Sequence, residues 1–149
     1  MTHLLTALCA MTLFAGFGAA RAEDKKAPEN DKAKPTGVWA KESEGLTLTF
    51  DFTKADVVTV IAAAGENSLT INGKYTVDKN GLIKIKTTKI EVKGEFPVKP
   101  KEGYTLEFKF KIDGKTAKLT DFAASEDADQ ARGVVEGEYT KQDEKKKDK

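Results

Sequence analysis

The side chains best suited to catalysis at neutral pH are gathered at one end of this chain. Its single histidine is His3 and its single cysteine is Cys9. An imidazole is the usual general base near neutrality, and a thiolate is the usual soft nucleophile or metal ligand. Both fall within residues 1–22, where an apolar run from Leu4 to Gly18 is followed by Ala20-Arg21-Ala22. That pattern predicts a secretory signal peptide with an A-x-A cleavage site. The run is interrupted by Thr6, Thr12 and Gly16, and it falls short of the roughly 20 apolar residues that a retained membrane span requires. Bulky Leu8 before Cys9 makes a poor lipid-attachment site. The expected product is exported, periplasmic or extracellular, begins near Glu23 and keeps no membrane anchor. It has neither imidazole nor thiol, which removes most side-chain catalysis, most zinc sites and every disulfide.

The remaining candidates are carboxylates and hydroxyls. A glycosidase-type pair requires one carboxyl raised in pKa by an apolar cleft. No acid here sits in an apolar run, and the strand-borne Asp51 and Glu107 occupy the polar side of their alternation. Ser43, Ser68 and Ser125 have no histidine partner and no Ser-x-x-Lys motif. Glu126, Asp127 and Asp129 suggest a calcium loop, but the segment lacks a third alternating oxygen ligand and carries Arg132 inside it. Asp78-Lys79-Asn80-Gly81 is only a fragment of such a loop. Solvated turns are expected at both places, with no metal, no cofactor and no enzymatic activity.

Charge excludes further classes. The chain has 25 basic and 24 acidic residues, and of these only Arg21 precedes the expected cut, leaving 24 of each. A neutral, mixed composition gives no electrostatic argument for nucleic acid or for an anionic membrane. Lysines interleaved with Phe108 and Phe110 do not change this, because strand alternation sends the two types to opposite faces. Residues 23–35 form a charged leader and residues 141–149 (KQDEKKKDK) a lysine-rich tail; neither has the apolar content to order itself. Residues 36–140 are left as a single domain, large enough for one core without disulfides.

The elements of that domain follow from a period of two. Leu46, Leu48, Phe50 and Phe52 alternate with Thr47, Thr49 and Asp51. Tyr104, Leu106, Phe108, Phe110 and Ile112 alternate with polar residues in the clearest strand of the chain. Val57–Ala64 is apolar on both faces, which predicts a central or covered strand. Asn72-Gly73 interrupts the strand that contains it, and Pro97 and Pro100 restrict any strand near them to a short edge. Eight strands are expected: 38–42, 45–52, 57–64, 69–77, 82–92, 104–113, 115–122 and 134–140. Short links such as Asp113-Gly114 predict antiparallel neighbours in an up-and-down meander. Such a meander closes into a barrel or stays an open sheet or sandwich. One helical turn is expected before the last strand, with Ser125 as its cap and Gly133 after its last residue.

Gly37-Val38-Trp39 opens the first strand directly after a polar leader. With the strand count and hairpin order, this resembles the lipocalin-like superfamily, whose first strand carries G-x-W. The leader, the LTLTFDF strand and Gly-Glu-Tyr near the end also resemble small exported lipocalin-like domains that occur as paralogous families in planctomycetes. The resemblance implies a barrel holding a small apolar ligand, with Trp39, Phe50, Tyr104, Phe108 and Phe110 as the candidate ligand-binding residues. It also implies a basic side chain from the last strand over Trp39, whereas the one arginine of the expected product, Arg132, precedes that strand. The interior rows are bulky enough to fill an eight-stranded barrel. A structural or protein-interaction module with a filled core is therefore the alternative expectation, its protein partner unspecified.

Overall fold

Alternation puts every second side chain of each strand on one side, and the chain wraps that side around a single interior. A computed structural model describes residues 34–96 and 100–143. The expected signal peptide, nearly all of the leader and the tail beyond Asp143 lie outside the described residues, as does Pro97. Eight strands run β1 Val38–Ser43, β2 Leu46–Lys54, β3 Val57–Ala64, β4 Asn67–Val77, β5 Leu82–Lys93, β6 Thr105–Asp113, β7 Thr116–Ala124 and β8 Gly137–Gln142. Each pairs antiparallel with the next and β8 returns to β1, giving a closed up-and-down barrel rather than an open sheet or sandwich. The helix α1, Ala128–Val135, lies between β7 and β8.

The barrel has two unlike ends. At the base lie the β2–β3, β4–β5 and β6–β7 turns, with the start of β1 and the end of β8. At the mouth lie the β1–β2 and β3–β4 turns, the β5–β6 loop and α1. Register carries one ring of inward residues around the first five strands: Trp39 opposite Phe50, then Val60, Ile71 and Ile90. The interruption at Asn72-Gly73 is a shift of register between β4 and β5. Gly73 is required there by close approach, since a Cβ would stand 2.6 Å from Ile85 Cγ2 and 2.9 Å from the Lys86 carbonyl oxygen.

The last element differs from expectation. Val134 and Val135 belong to α1, and β8 begins at Gly137 and continues through Gln142. Lys41 on β1 marks where this longer helix ends: its ammonium donates to the carbonyls of Val134 (2.9 Å) and Glu136, a cationic partner for the exposed carbonyls of a helix C-terminus. The expected caps are also displaced. Asp127, in a left-handed conformation, is the N-cap, and Gly133 lies inside the helix. Ser125 Oγ instead accepts from the Thr105 N–H at 3.2 Å.

The helix replaces part of a strand. The mouth half of β7 has no β8 residue beside it, since β7–β8 pairing stops at Leu119 opposite Gly137. Phe122 lies in that half, and its backbone is satisfied by two side chains from α1 and its cap. The Glu136 carboxylate accepts from the Phe122 N–H at 2.8 Å, and the Arg132 guanidinium donates to the Phe122 carbonyl at 3.2 and 3.3 Å. Buried backbone groups rarely go unpaired, so these contacts fix α1 against the barrel wall.

Candidate functional site

Candidate residues on β1, β2 and β6 meet inside the barrel. Phe50 and Phe108 approach edge to face with ring centroids 5.3 Å apart, and Phe50 meets Tyr139 in the same way at 5.4 Å. Phe110 stands edge-on to Trp39 at 5.5 Å and 5.8 Å from Tyr139. Phe52 stacks beside Phe50 at 6.1 Å and meets Tyr75 edge to face at 5.2 Å. These are favourable quadrupolar arrangements. The four phenylalanines of β2 and β6 thus converge on one volume together with Trp39, Tyr75 and Tyr139. The two hydroxyls and the indole of this cluster are satisfied locally. Trp39 Nε1–H donates to the Thr36 carbonyl at 3.1 Å, Tyr139 to the Val135 carbonyl at 2.6 Å, and Tyr75 makes a long contact of 3.5 Å to the Pro35 carbonyl. Burial raises the Tyr139 and Tyr75 phenols above their ordinary pKa, so neither is poised as a neutral-pH base.

Inward residues are buried from base to mouth: Trp39, Phe50, Val58, Phe108, Leu119 and Tyr139 are 0–2% exposed, Thr87 and Phe122 in the mouth half are 3% exposed, and Leu48, Val60, Ala62, Leu69, Ile71 and Leu106 are 5–9% exposed. Phe110, within the aromatic cluster, is half-buried and packs against this core. Phe96, Tyr104, Ala131 and Val135 are half-buried and pack against the core from the mouth side. Tyr104, the fifth candidate, precedes β6 at this rim, apart from the other four. Its hydroxyl donates to the Glu126 carbonyl, and burial, with Asp127 and Glu126 nearby, raises its phenol. Thr87 ties the β5–β6 loop to the rim: its backbone bonds Tyr104 and Gly103, and its hydroxyl donates to the Lys101 carbonyl at 3.4 Å.

The base carries a residue that sequence reasoning assigned to the tail. Lys141, on β8 opposite Trp39, holds its ammonium 5.6 Å from the centroid of the indole ring. Arg132 does not take this place; it serves the Phe122 carbonyl. Gly37, at φ 86°, clears the path, because a Cβ there would stand 2.9 Å from Lys141 Cε. Gly37-x-Trp39 therefore works as a unit: the glycine admits the lysine stem, and the indole receives its charge. The signal was present in the sequence, since Tyr139 points inward and Lys141 is the next residue on that side. An open depression of about 930 Å³ lies at the base, bordered by Lys34, Asp56, Tyr75, Lys115 and Lys141. Lys34 and Asp56 face one another across its edge at 2.6 Å.

The acids of the β7–α1 segment are arranged for structure. Asp129 pairs with Arg132 at 3.4 Å, and Glu126 is engaged through its carbonyl. Among the described residues no group of three or more histidine, cysteine, aspartate or glutamate side chains is placed to hold a metal ion. No family model matches this chain, and no match to it is found among the curated proteins or the solved structures.

Proposed function

We propose that this protein is an exported, non-enzymatic binding module with a lipocalin-like barrel, and that it acts through its outer surface, the barrel serving as a rigid frame. The observation that carries the reading is the convergence of Trp39, Phe50, Phe52, Phe108, Phe110 and Tyr139 on one volume, with successive ring centroids 5.3–6.3 Å apart. A ligand inside a barrel needs preformed apolar space, and here side chains occupy it. Native mass spectrometry of protein purified from its own source tests this. The expected result is one species at the mass of the processed chain; a co-purifying apolar molecule that survives gentle desolvation would overturn the reading.

A small difference in burial favours a second reading. Leu48, Val60, Ala62, Leu69, Ile71 and Leu106 are 5–9% exposed, against 0–2% for Trp39, Phe50 and Phe108. A small apolar ligand would seat on these six residues, between Tyr104 and the aromatic cluster. An Ala62→Leu variant, shown by a thermal melt to fold, separates the two readings: the added bulk, which buries no charge, weakens binding of a mouth ligand and leaves a surface-acting module unchanged.

A further inference from the structure

Overall neutrality conceals a segregation of charge around the barrel wall. On β1–β3 the outward side chains are largely uncharged, among them Val38, Ala40, Thr47, Thr49, Thr59 and Ile61. From β4 to β7 the outward positions are lysine-rich: Lys74, Lys84, Lys86, Lys109, Lys111 and Lys118. Two of the nearby carboxylates are paired, Glu107 to Lys84 at 3.0 Å and Asp121 to Lys109 at 2.9 Å. Among the described residues, Lys74, Lys86, Lys111 and Lys118 form no ion pair.

Register sets these four against each other. Lys74 stands directly opposite Lys86, and Lys111 directly opposite Lys118. Among the described residues, the other neighbours in the first row are the uncharged Val57 and Thr105; in the second row Glu138 flanks Lys118, and Asp113 follows two residues after Lys111. Like charges directly opposed across a sheet are destabilising, and a bound anion relieves them. Strand spacing and rise put the Lys74–Lys86 pair and the Lys111–Lys118 pair roughly 20 Å apart, at the two ends of a stripe about 25 Å long whose middle holds the ion-paired Lys84 and Lys109. Threonines 76, 105 and 120 stand among the lysines with hydroxyls to share. No outward position of β4–β7 carries an aromatic ring, whereas single-stranded nucleic acid is gripped by stacking as well as by charge.

We infer that the β4–β7 face binds a linear acidic polysaccharide, whose repeating carboxylates lie along the lysine stripe and whose hydroxyls meet the threonines. The inference rests on the surface-acting reading and names its partner. The experiment is elution of the full chain from immobilised polygalacturonate, with neutral dextran as blank and a single-stranded oligothymidylate as competitor. The chain is expected to be retained at low salt and released as salt rises, because binding displaces counterions. A variant carrying K74Q, K86Q, K111Q and K118Q should bind at least tenfold more weakly. One carrying K54Q, K79Q, K101Q and K115Q, with the same net charge, should elute as the parent does. Thermal melts establish that both variants fold. No retention at low salt, equal losses in the two variants, or displacement by oligothymidylate below equimolar anion would each overturn the inference. Saturable binding of a neutral long-chain alcohol to the same protein would instead overturn the surface-acting reading, so the two failures are distinguishable.

Discussion

The Lys141 ammonium stands 5.6 Å from the centroid of the Trp39 ring, on the strand that closes the barrel. One short ladder thus joins the first strand to the last, pairing Val38 with Gln142, Trp39 with Lys141 and Ala40 with Thr140. Replacing Lys141 with Gln should lower stability by about 0.5–1 kcal/mol, the range of an exposed cation–π contact. A chain ending at Thr140 should melt below one ending at Asp143, because the first loses two of those three pairings. Equal melting temperatures for the two truncations would show that closure does not depend on this ladder.

Phe108 is fully buried and touches both Phe50 and Phe110. Phe108→Ala should cost about 3–5 kcal/mol in a urea melt. A loss below about 1 kcal/mol would mean that the site collapses freely and the cluster is not close-packed.

Gly73 tests the register shift between β4 and β5. Alanine at this position drives a methyl into Ile85 Cγ2 and the Lys86 carbonyl. Overpacking of this kind costs about 1–3 kcal/mol. Gly65→Ala is not an equivalent control, because Gly65 has φ 59° and would be strained for a different reason. Gly133→Ala, in a helix with nothing within 4 Å of the added methyl, should be neutral or stabilising.

Tyr139 makes stability fall at alkaline pH. Burial raises its folded pKa above the ordinary value of 10.0. Below that value the phenol is neutral in both states and contributes no pH dependence. Above it the unfolded chain loses the proton while the folded chain keeps it, so folding weakens as pH rises toward the folded pKa, by up to about 1.4 kcal/mol per pH unit for one group. Tyr139→Phe should be less stable than the parent at pH 8, by about 1 kcal/mol for the lost bond to the Val135 carbonyl. The gap should narrow or reverse by pH 11, as read from urea melts at each pH. A gap independent of pH would contradict the assignment.

Most of the wall was legible because alternation survives in every strand long enough to show it. The rows Leu48-Phe50-Phe52 and Leu106-Phe108 point inward as their spacing requires, and the central interruption at Asn72-Gly73 is a register shift. The end of the chain was not legible. Val134-Val135 reads as a strand start by composition, and Lys41, whose ammonium meets the helix end there, is distant in sequence. Lys141 reads as tail because charge dominates its neighbours, although the period of two running through Tyr139 puts it on the same side of β8 as that residue. Val57–Ala64, apolar on both faces, has no described element over its outer side; a barrel offers no second layer to cover it. Composition could not show the lysine stripe at all, since opposition of Lys74 and Lys86 is a property of register.

Side chains occupy the barrel interior down to Trp39. Titrating the protein with a neutral spin-labelled long-chain alcohol and following Trp39 emission tests it most directly, because Trp39 is the only tryptophan in the chain. A filled interior gives no saturable quench, only the shallow collisional loss of a buried indole. Saturable quenching at one equivalent would contradict it, because it would place the probe within reach of the ring that the aromatic cluster is said to seal.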